Sequence, residues 1–148
     1  MKTLNDILAA IGRFLQPIIL LGIRLYWGWH FFETGKGKLT HLDKITAFFA
    51  SLNIPAPHLN AIVAGSVETA GGLLLIVGLF SRIVTLPLMF TLAVAYATAE
   101  SDALHAIFSD PDKFMAATPF LFLFASLIIF AFGPGCISLD RLFDKNAE

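Results

Sequence analysis

Four runs of apolar residues, 17–34, 61–80, 83–99 and 114–132, dominate this 148-residue chain. A helix needs roughly 20 such residues to cross about 30 Å of hydrocarbon, and each run meets or approaches that length. Four segments cannot close a β-barrel, and open sheet edges are not tolerated in lipid, so continuous helix is the expected conformation. Composition agrees. The chain is 57% hydrophobic and 14% charged, whereas a soluble domain carries about 25% charge. A chain this short has too much surface to hide so many apolar side chains from water. The expected fold class is all-α: an integral membrane four-helix bundle forming a single domain over residues 1–148, with an amphipathic segment in the first long loop.

The same reading excludes several functions. Formal net charge is −1 and no long basic run occurs, so nucleic acid has no electrostatic footprint to meet. Cys136 stands alone, which excludes an intrachain disulfide and a cysteine-cluster metal site. The N-terminal stretch has Asp6 and Arg13 inside its apolar residues and lacks the order of a cleaved signal, so the first span is expected to be retained. No glycine-rich loop follows a strand, which excludes nucleotide binding on context.

Two amphipathic pieces accompany the spans. Leu4, Ile7, Leu8, Ile11 and Leu15 recur at helical spacing, either lying flat on the membrane or lengthening the first helix inward from Pro17, which suits a first helical turn. Leu42, Ile45, Phe48, Phe49 and Leu52 form the second, within a connection from Gly35 to Asn60 that ends at Asn53-Ile-Pro-Ala-Pro57. Connections of that length often cover a site. Ser81-Arg82 reads as a tight turn between spans two and three. With termini inside, the cytoplasmic face receives Lys2, Arg13, Arg82, Arg141 and Lys145, against Lys36, Lys38, Lys44 and Lys113 outside. That is a narrow margin, and the placement of Arg82 in the short turn favours cytoplasmic termini.

Charge within the spans carries the functional signal, because an unpaired ionised group there costs at least roughly 2.5–3.5 kcal/mol. Counting depth from Thr34 and Ala61 brings Arg24 within about 5 Å of Glu68, so the two are expected to pair, as a clamp between helices or as a site that binds a substrate oxygen and handles a proton. Ala61, Gly65, Glu68 and Gly72 share one face, which suits close helix approach or a flat ligand. On helix one, Tyr26, His30 and Glu33 point the same way, and Glu33 would orient the His30 ring. On helix three, Thr85, Met89, Leu92, Tyr96 and Glu100 form one stripe. Arg24, His30, Glu33, Glu68, Tyr96 and Glu100 are therefore candidates for one cavity in the outer half of the bundle. His30, Glu33, Glu100 and His105 have metal-ligand chemistry but none of the usual paired-histidine spacings, and no metal site is expected.

Several blocks resemble a known family. Arg24-Leu-Tyr-Trp-Gly28, Gly35-Lys-Gly-Lys-Leu39 and Asn53-Ile-Pro-Ala-Pro57 are similar to the opening of the DoxX family of small bacterial four-helix membrane proteins. Glu68-Thr-Ala-Gly-Gly-Leu-Leu-Leu-Ile-Val-Gly78, followed by Ser81-Arg82, resembles its second-helix block. Gly133-Pro-Gly-Cys-Ile-Ser-Leu-Asp140 resembles its closing motif, with Cys136 where a basic or polar residue is more usual. The resemblance implies a multi-pass protein of the bacterial cytoplasmic (inner) membrane, and marks Arg24, Gly35, Lys38, Glu68, Gly71, Gly72, Gly78 and Arg82. The family includes the small subunit of a thiosulfate:quinone oxidoreductase, and no single chemistry follows for all its members.

The expected function is a membrane subunit of a redox system that holds a quinone or similar lipophilic ligand between helices. Arg24, His30 and Tyr96 would donate hydrogen bonds to the quinone, Gly72 would leave it room, and Glu68, His30 and Glu100 would move protons. No flavin, haem or iron–sulfur ligand set is present, so electrons must come from a partner redox protein. A homo-oligomer surrounded by lipid is the other expected association. The alternatives are a non-catalytic anchor or assembly partner and a small solute or metal transporter.

Overall fold

The computed structural model describes residues 2–144 and the side chains of residues 3–141. Lys145, counted above for orientation, lies outside the described residues, as does the side chain of Lys2. The described chain is all helical: α1 Lys2–Thr40, α2 Leu42–Ser51, α3 Pro57–Val77, α4 Ser81–Thr98, α5 Ser101–His105, α6 Pro111–Ala116, α7 Pro119–Phe132 and α8 Leu139–Asp144. Three of these, α1, α3 and α4, are long and apolar enough to cross a membrane. The apolar helix α7 has 14 residues.

The boundaries depart from the sequence reading at three places. Helix α1 extends six residues past Thr34; at its other end it runs unbroken through Pro17, the second of the two arrangements the sequence left open. A proline inside a helix sacrifices one backbone bond, and membrane helices tolerate that loss because neighbours and local adjustment re-satisfy the freed carbonyl. The turn between α3 and α4 is Gly78-Leu79-Phe80 rather than Ser81-Arg82, with Gly78 at φ 72° and Phe80 at φ 51°. The fourth apolar run is divided: the chain turns at Ala117 (ψ 139°) between α6 and α7, and Pro119 takes the first position of α7, where its missing N–H is no loss.

Helices α1 and α3 pack antiparallel through glycines. A Cβ on Gly28 would lie 2.9 Å from the Gly72 carbonyl oxygen, and one on Gly65 would lie 3.3 Å from that of Gly35. With no side chain at either level the backbones touch, as small residues permit where lipid supplies no hydrophobic drive for association. These pairs fix the register, with Gly28 facing Gly72 and Gly35 facing Gly65. Helix α4 packs against α3 and α7, and Phe31, Leu75, Val84, Leu88, Leu92 and Ile129 close the apolar core between them.

The register sets the depth of Arg24. Its guanidinium lies at the end of α3, buried, where Nε donates to the Leu75 carbonyl (2.8 Å) and Nη2 to that of Ile76 (3.1 Å). Nη1 donates to the carbonyls of Pro134 (2.6 Å) and Ile137 (2.8 Å). The last carbonyls of a helix have no intrahelical partner, so the arginine supplies donors to the end of α3 and ties the closing segment to it. Gly78 completes the knot: a Cβ there would lie 2.5 Å from Arg24 Nη2. Asp140 accepts from the backbone N–H groups of Phe80 (2.6 Å) and Ser81 (2.9 Å), capping α4 across the chain. That capping holds Phe80 in the left-handed region, which bulky residues rarely occupy.

Candidate functional site

The half of the bundle at the C-terminal ends of α1 and α4 holds a cavity of about 700 Å³, within the range of small-molecule sites. Five helices and one loop frame it. Helix α1 contributes Phe31, Thr34 and Lys38, α3 contributes Val67 and Glu68, and α4 contributes Phe90, Thr91 and Leu92. The start of α7 adds Pro119 and Phe122. Helix α2 lays the apolar side chains Phe48 and Phe49 over it, and the following loop adds Asn53 and Ile54. The amphipathic pattern that begins at Leu42 therefore folds as a helix, with its aromatic residues turned to the cavity.

One ion pair punctuates this apolar lining. Lys38 Nζ donates to Glu68 Oε2 in direct contact, with the carboxylate side chain 8% exposed and the lysine 24%. Helix geometry explains the match. Side chains tilt toward the N-terminus of their helix, so Lys38 reaches back about one turn to the level of Thr34. In the glycine register, that level faces the turn of α3 bearing Glu68. Among the described residues no protein donor reaches Oε1 of Glu68. The carboxylate thus keeps an acceptor position beside the cavity while its charge is compensated.

The expected Arg24–Glu68 pair does not form. Arg24 faces Ile76, eight residues along α3 from Glu68, or about 12 Å at 1.5 Å per residue. The depth estimate failed because it ended the first helix at Thr34, whereas α1 runs to Thr40 and slides every residue along the contact. The signal for the true partner was present: Lys38 lies one helical turn beyond the apolar run, long enough to return to Glu68.

The other candidates divide by position. Glu100 lines the cavity with Glu68; it sits just beyond α4, at the N-cap of α5, half-buried. Tyr96 is buried, but its hydroxyl donates to the Phe114 carbonyl (2.8 Å) and its ring stacks on Phe114 at 4.7 Å between centroids. It fastens α6 to α4, and is not among the cavity-lining residues. Gly72 faces α1 rather than a ligand: a Cβ there would collide with the backbone of Gly28 and Phe32. His30 lies behind the cavity wall, packed edge-on against Tyr26 and Phe122 (centroids 4.5 and 6.4 Å). Its Nδ1 is 3.8 Å from Glu33 Oε2 on a partly exposed surface. The structure therefore brings Glu68 and Glu100 to one cavity and places Arg24, His30, Gly72 and Tyr96 outside it. Among the described residues no three His, Cys, Asp or Glu side chains gather as a metal site, and Cys136 is a free, exposed thiol.

Comparison with known proteins places this geometry in a family context. The family model described as DoxX matches residues 19–101, from within α1 to the first residue of α5. The inner membrane protein YphA of Escherichia coli K12 is 30% identical over 132 residues, covering 85% of this chain and 91% of YphA. The inner membrane protein YqjF of the same organism is 26% identical over 148 residues, covering 99% of both chains. A membrane protein of Mycobacterium tuberculosis is 30% identical over 143 residues, covering 88% of this chain and 85% of its own. No solved structure matches.

Proposed function

The chain belongs to the DoxX family and is a multi-pass protein of the inner membrane, and from that premise we propose that its outer-half cavity binds a quinone or a similar lipophilic carbonyl compound for a partner electron donor. The observation that carries this reading is the Lys38–Glu68 pair, its carboxylate buried, set in a mostly apolar cavity of small-molecule size. Aromatic and aliphatic side chains suit a ring and an isoprenoid-like tail, and pockets of this kind take their specificity from a few placed polar groups. Lys38 is the donor for one carbonyl oxygen. Glu68, with its free acceptor position, is the group that exchanges a proton there.

Reduction of a quinone to a quinol consumes two electrons and two protons. In this proposal a partner redox protein supplies the electrons, since no three His, Cys, Asp or Glu side chains gather among the described residues to hold a redox metal. The protons enter through Glu68, and Glu100, near the end of α4, relays them from water. In the same reading α7 completes a four-helix bundle within a single domain, and both termini are cytoplasmic. Arg82 and Arg141 at that end of the bundle fit the orientation.

Binding of a short-chain quinone analogue to the detergent-solubilised protein tests the proposal, with folding of each variant checked by size exclusion. Lys38→Met removes one charged donor, worth roughly 1.5–3 kcal/mol, and should weaken binding at least about tenfold. Glu68→Gln should weaken it less, since a neutral amide keeps an acceptor, but should abolish proton-coupled turnover with a reducing partner. Unchanged affinity in folded Lys38→Met overturns the site and leaves the anchoring role ahead.

A further inference from the structure

A second pocket, of about 290 Å³, lies at the opposite end of the bundle from the ion pair. It is lined by Arg13, Gln16, Pro17 and Leu20 of α1, Phe132 at the end of α7, Gly135 and Cys136 of the closing segment, and Arg141 of α8. Two permanent positive charges therefore face one small space from two different elements. Among the described residues no carboxylate lies within 4.0 Å of either arginine. Asp140, next in sequence to Arg141, turns its two oxygens to the N–H groups of Phe80 and Ser81. Unlike Arg24, whose donors go to backbone carbonyls, Arg13 and Arg141 donate to no acceptor among the described residues.

Like charges that share a pocket repel, and an anion between them converts that cost into attraction. Arginine forks match a phosphate bidentately, and the Gln16 amide adds a neutral donor. The position selects the source of the phosphate. The pocket sits between the N-terminal part of α1 and the closing segment after α7, and Phe132 both lines it and is 63% exposed. Phe14 and Ile18 of α1 stand exposed beside its charged residues. A head group held by the arginines would leave acyl chains against these apolar side chains, the arrangement of basic interhelical pockets that recognise anionic lipids.

We propose that Arg13, Gln16 and Arg141 form a binding site for a phosphate group, supplied by the head group of an anionic phospholipid in the leaflet at this end of the bundle. The site joins the long α1 to the closing segment, so its occupation braces the same segment that Arg24 ties to α3.

The test uses the full-length protein in detergent, titrated separately with phosphatidylglycerol, phosphatidylcholine and inorganic phosphate. Phosphatidylglycerol should raise the melting temperature by roughly 5 °C at saturation, and phosphatidylcholine should not match it. The rise should disappear in the double variant Arg13→Gln/Arg141→Gln. An equal rise with inorganic phosphate assigns the site to a free anion instead of a lipid, which overturns the lipid assignment. A rise retained in the double variant overturns the site. Native mass spectrometry of the wild type gives a reading that needs no variant. One phosphatidylglycerol per chain should survive where phosphatidylcholine is stripped, and equal retention of the two lipids refutes the proposal.

Discussion

Lys38 and Glu68 form an ion pair between α1 and α3, beside an apolar cavity, although the two residues are 30 positions apart and Lys38 lies beyond the apolar run of its helix. Removing one member leaves the other desolvated without a counter-charge. Such a break costs about 3–5 kcal/mol when a pair is deeply buried, and the partial exposure of Lys38 moves the expectation to roughly 1–3 kcal/mol. Lys38→Met and Glu68→Gln should each lower stability by that amount, and the double variant should lose less than their sum. Melting of the four proteins in one detergent measures the coupling. Strict additivity would show that the pair contributes no coupling.

Arg24 should behave independently of Glu68. The eight-residue offset along α3 separates them by about 12 Å, and changes at that distance usually add within about 0.5 kcal/mol. Arg24→Lys should itself be costly, since an ammonium cannot serve four carbonyls spread over α3 and the closing segment. Unsatisfied buried carbonyls put the loss at roughly 2–4 kcal/mol. The same set of melts, extended by Arg24→Lys and Arg24→Lys/Glu68→Gln, decides between additivity and coupling.

The contrast between these residues shows which parts of the structure were legible in the sequence. That the chain spans a membrane as helices followed from apolar run length, and the glycines of α3 announced a close contact. Arg24 and Glu68 stood out as charges within apolar runs and both are buried, but their partners depended on where α1 ends. Apolar run length does not report that end, because Lys36 and Lys38 interrupt the apolar pattern without interrupting the helix. The Tyr96 hydroxyl was misassigned for a related reason. Its acceptor, the Phe114 carbonyl, belongs to α6, a short helix whose last residues read as the start of the fourth span. The closing motif resembled a family signature without a physical reason until Arg24 and Asp140 showed what it holds.

Tyr96→Phe isolates that fastening. It deletes the bond to Phe114 and keeps the stacked ring, so stability should fall by about 1 kcal/mol. Affinity for a quinone analogue should stay at the wild-type value, because the hydroxyl points at a backbone carbonyl outside the cavity. A loss of affinity at unchanged stability would return Tyr96 to the binding site.

Glycine substitutions separate close approach from mere helix composition. A Cβ at Gly72 would press on the backbone of Gly28 and Phe32, which cannot yield as a side chain could, whereas one at Gly37 would meet nothing within 4 Å. Gly37→Ala should therefore stabilise by up to about 1 kcal/mol through helix propensity. Gly72→Ala gains the same propensity but must separate α1 from α3, at a cost of typically 1–3 kcal/mol for overpacking. Because the Lys38–Glu68 contact spans those same two helices, Gly72→Ala should also weaken quinone-analogue binding while Gly37→Ala leaves it alone. Melting temperature and affinity measured on both variants give opposite signs for stability if the glycine register is correct. Equal, mild effects would mean that α1 and α3 do not meet at Gly72.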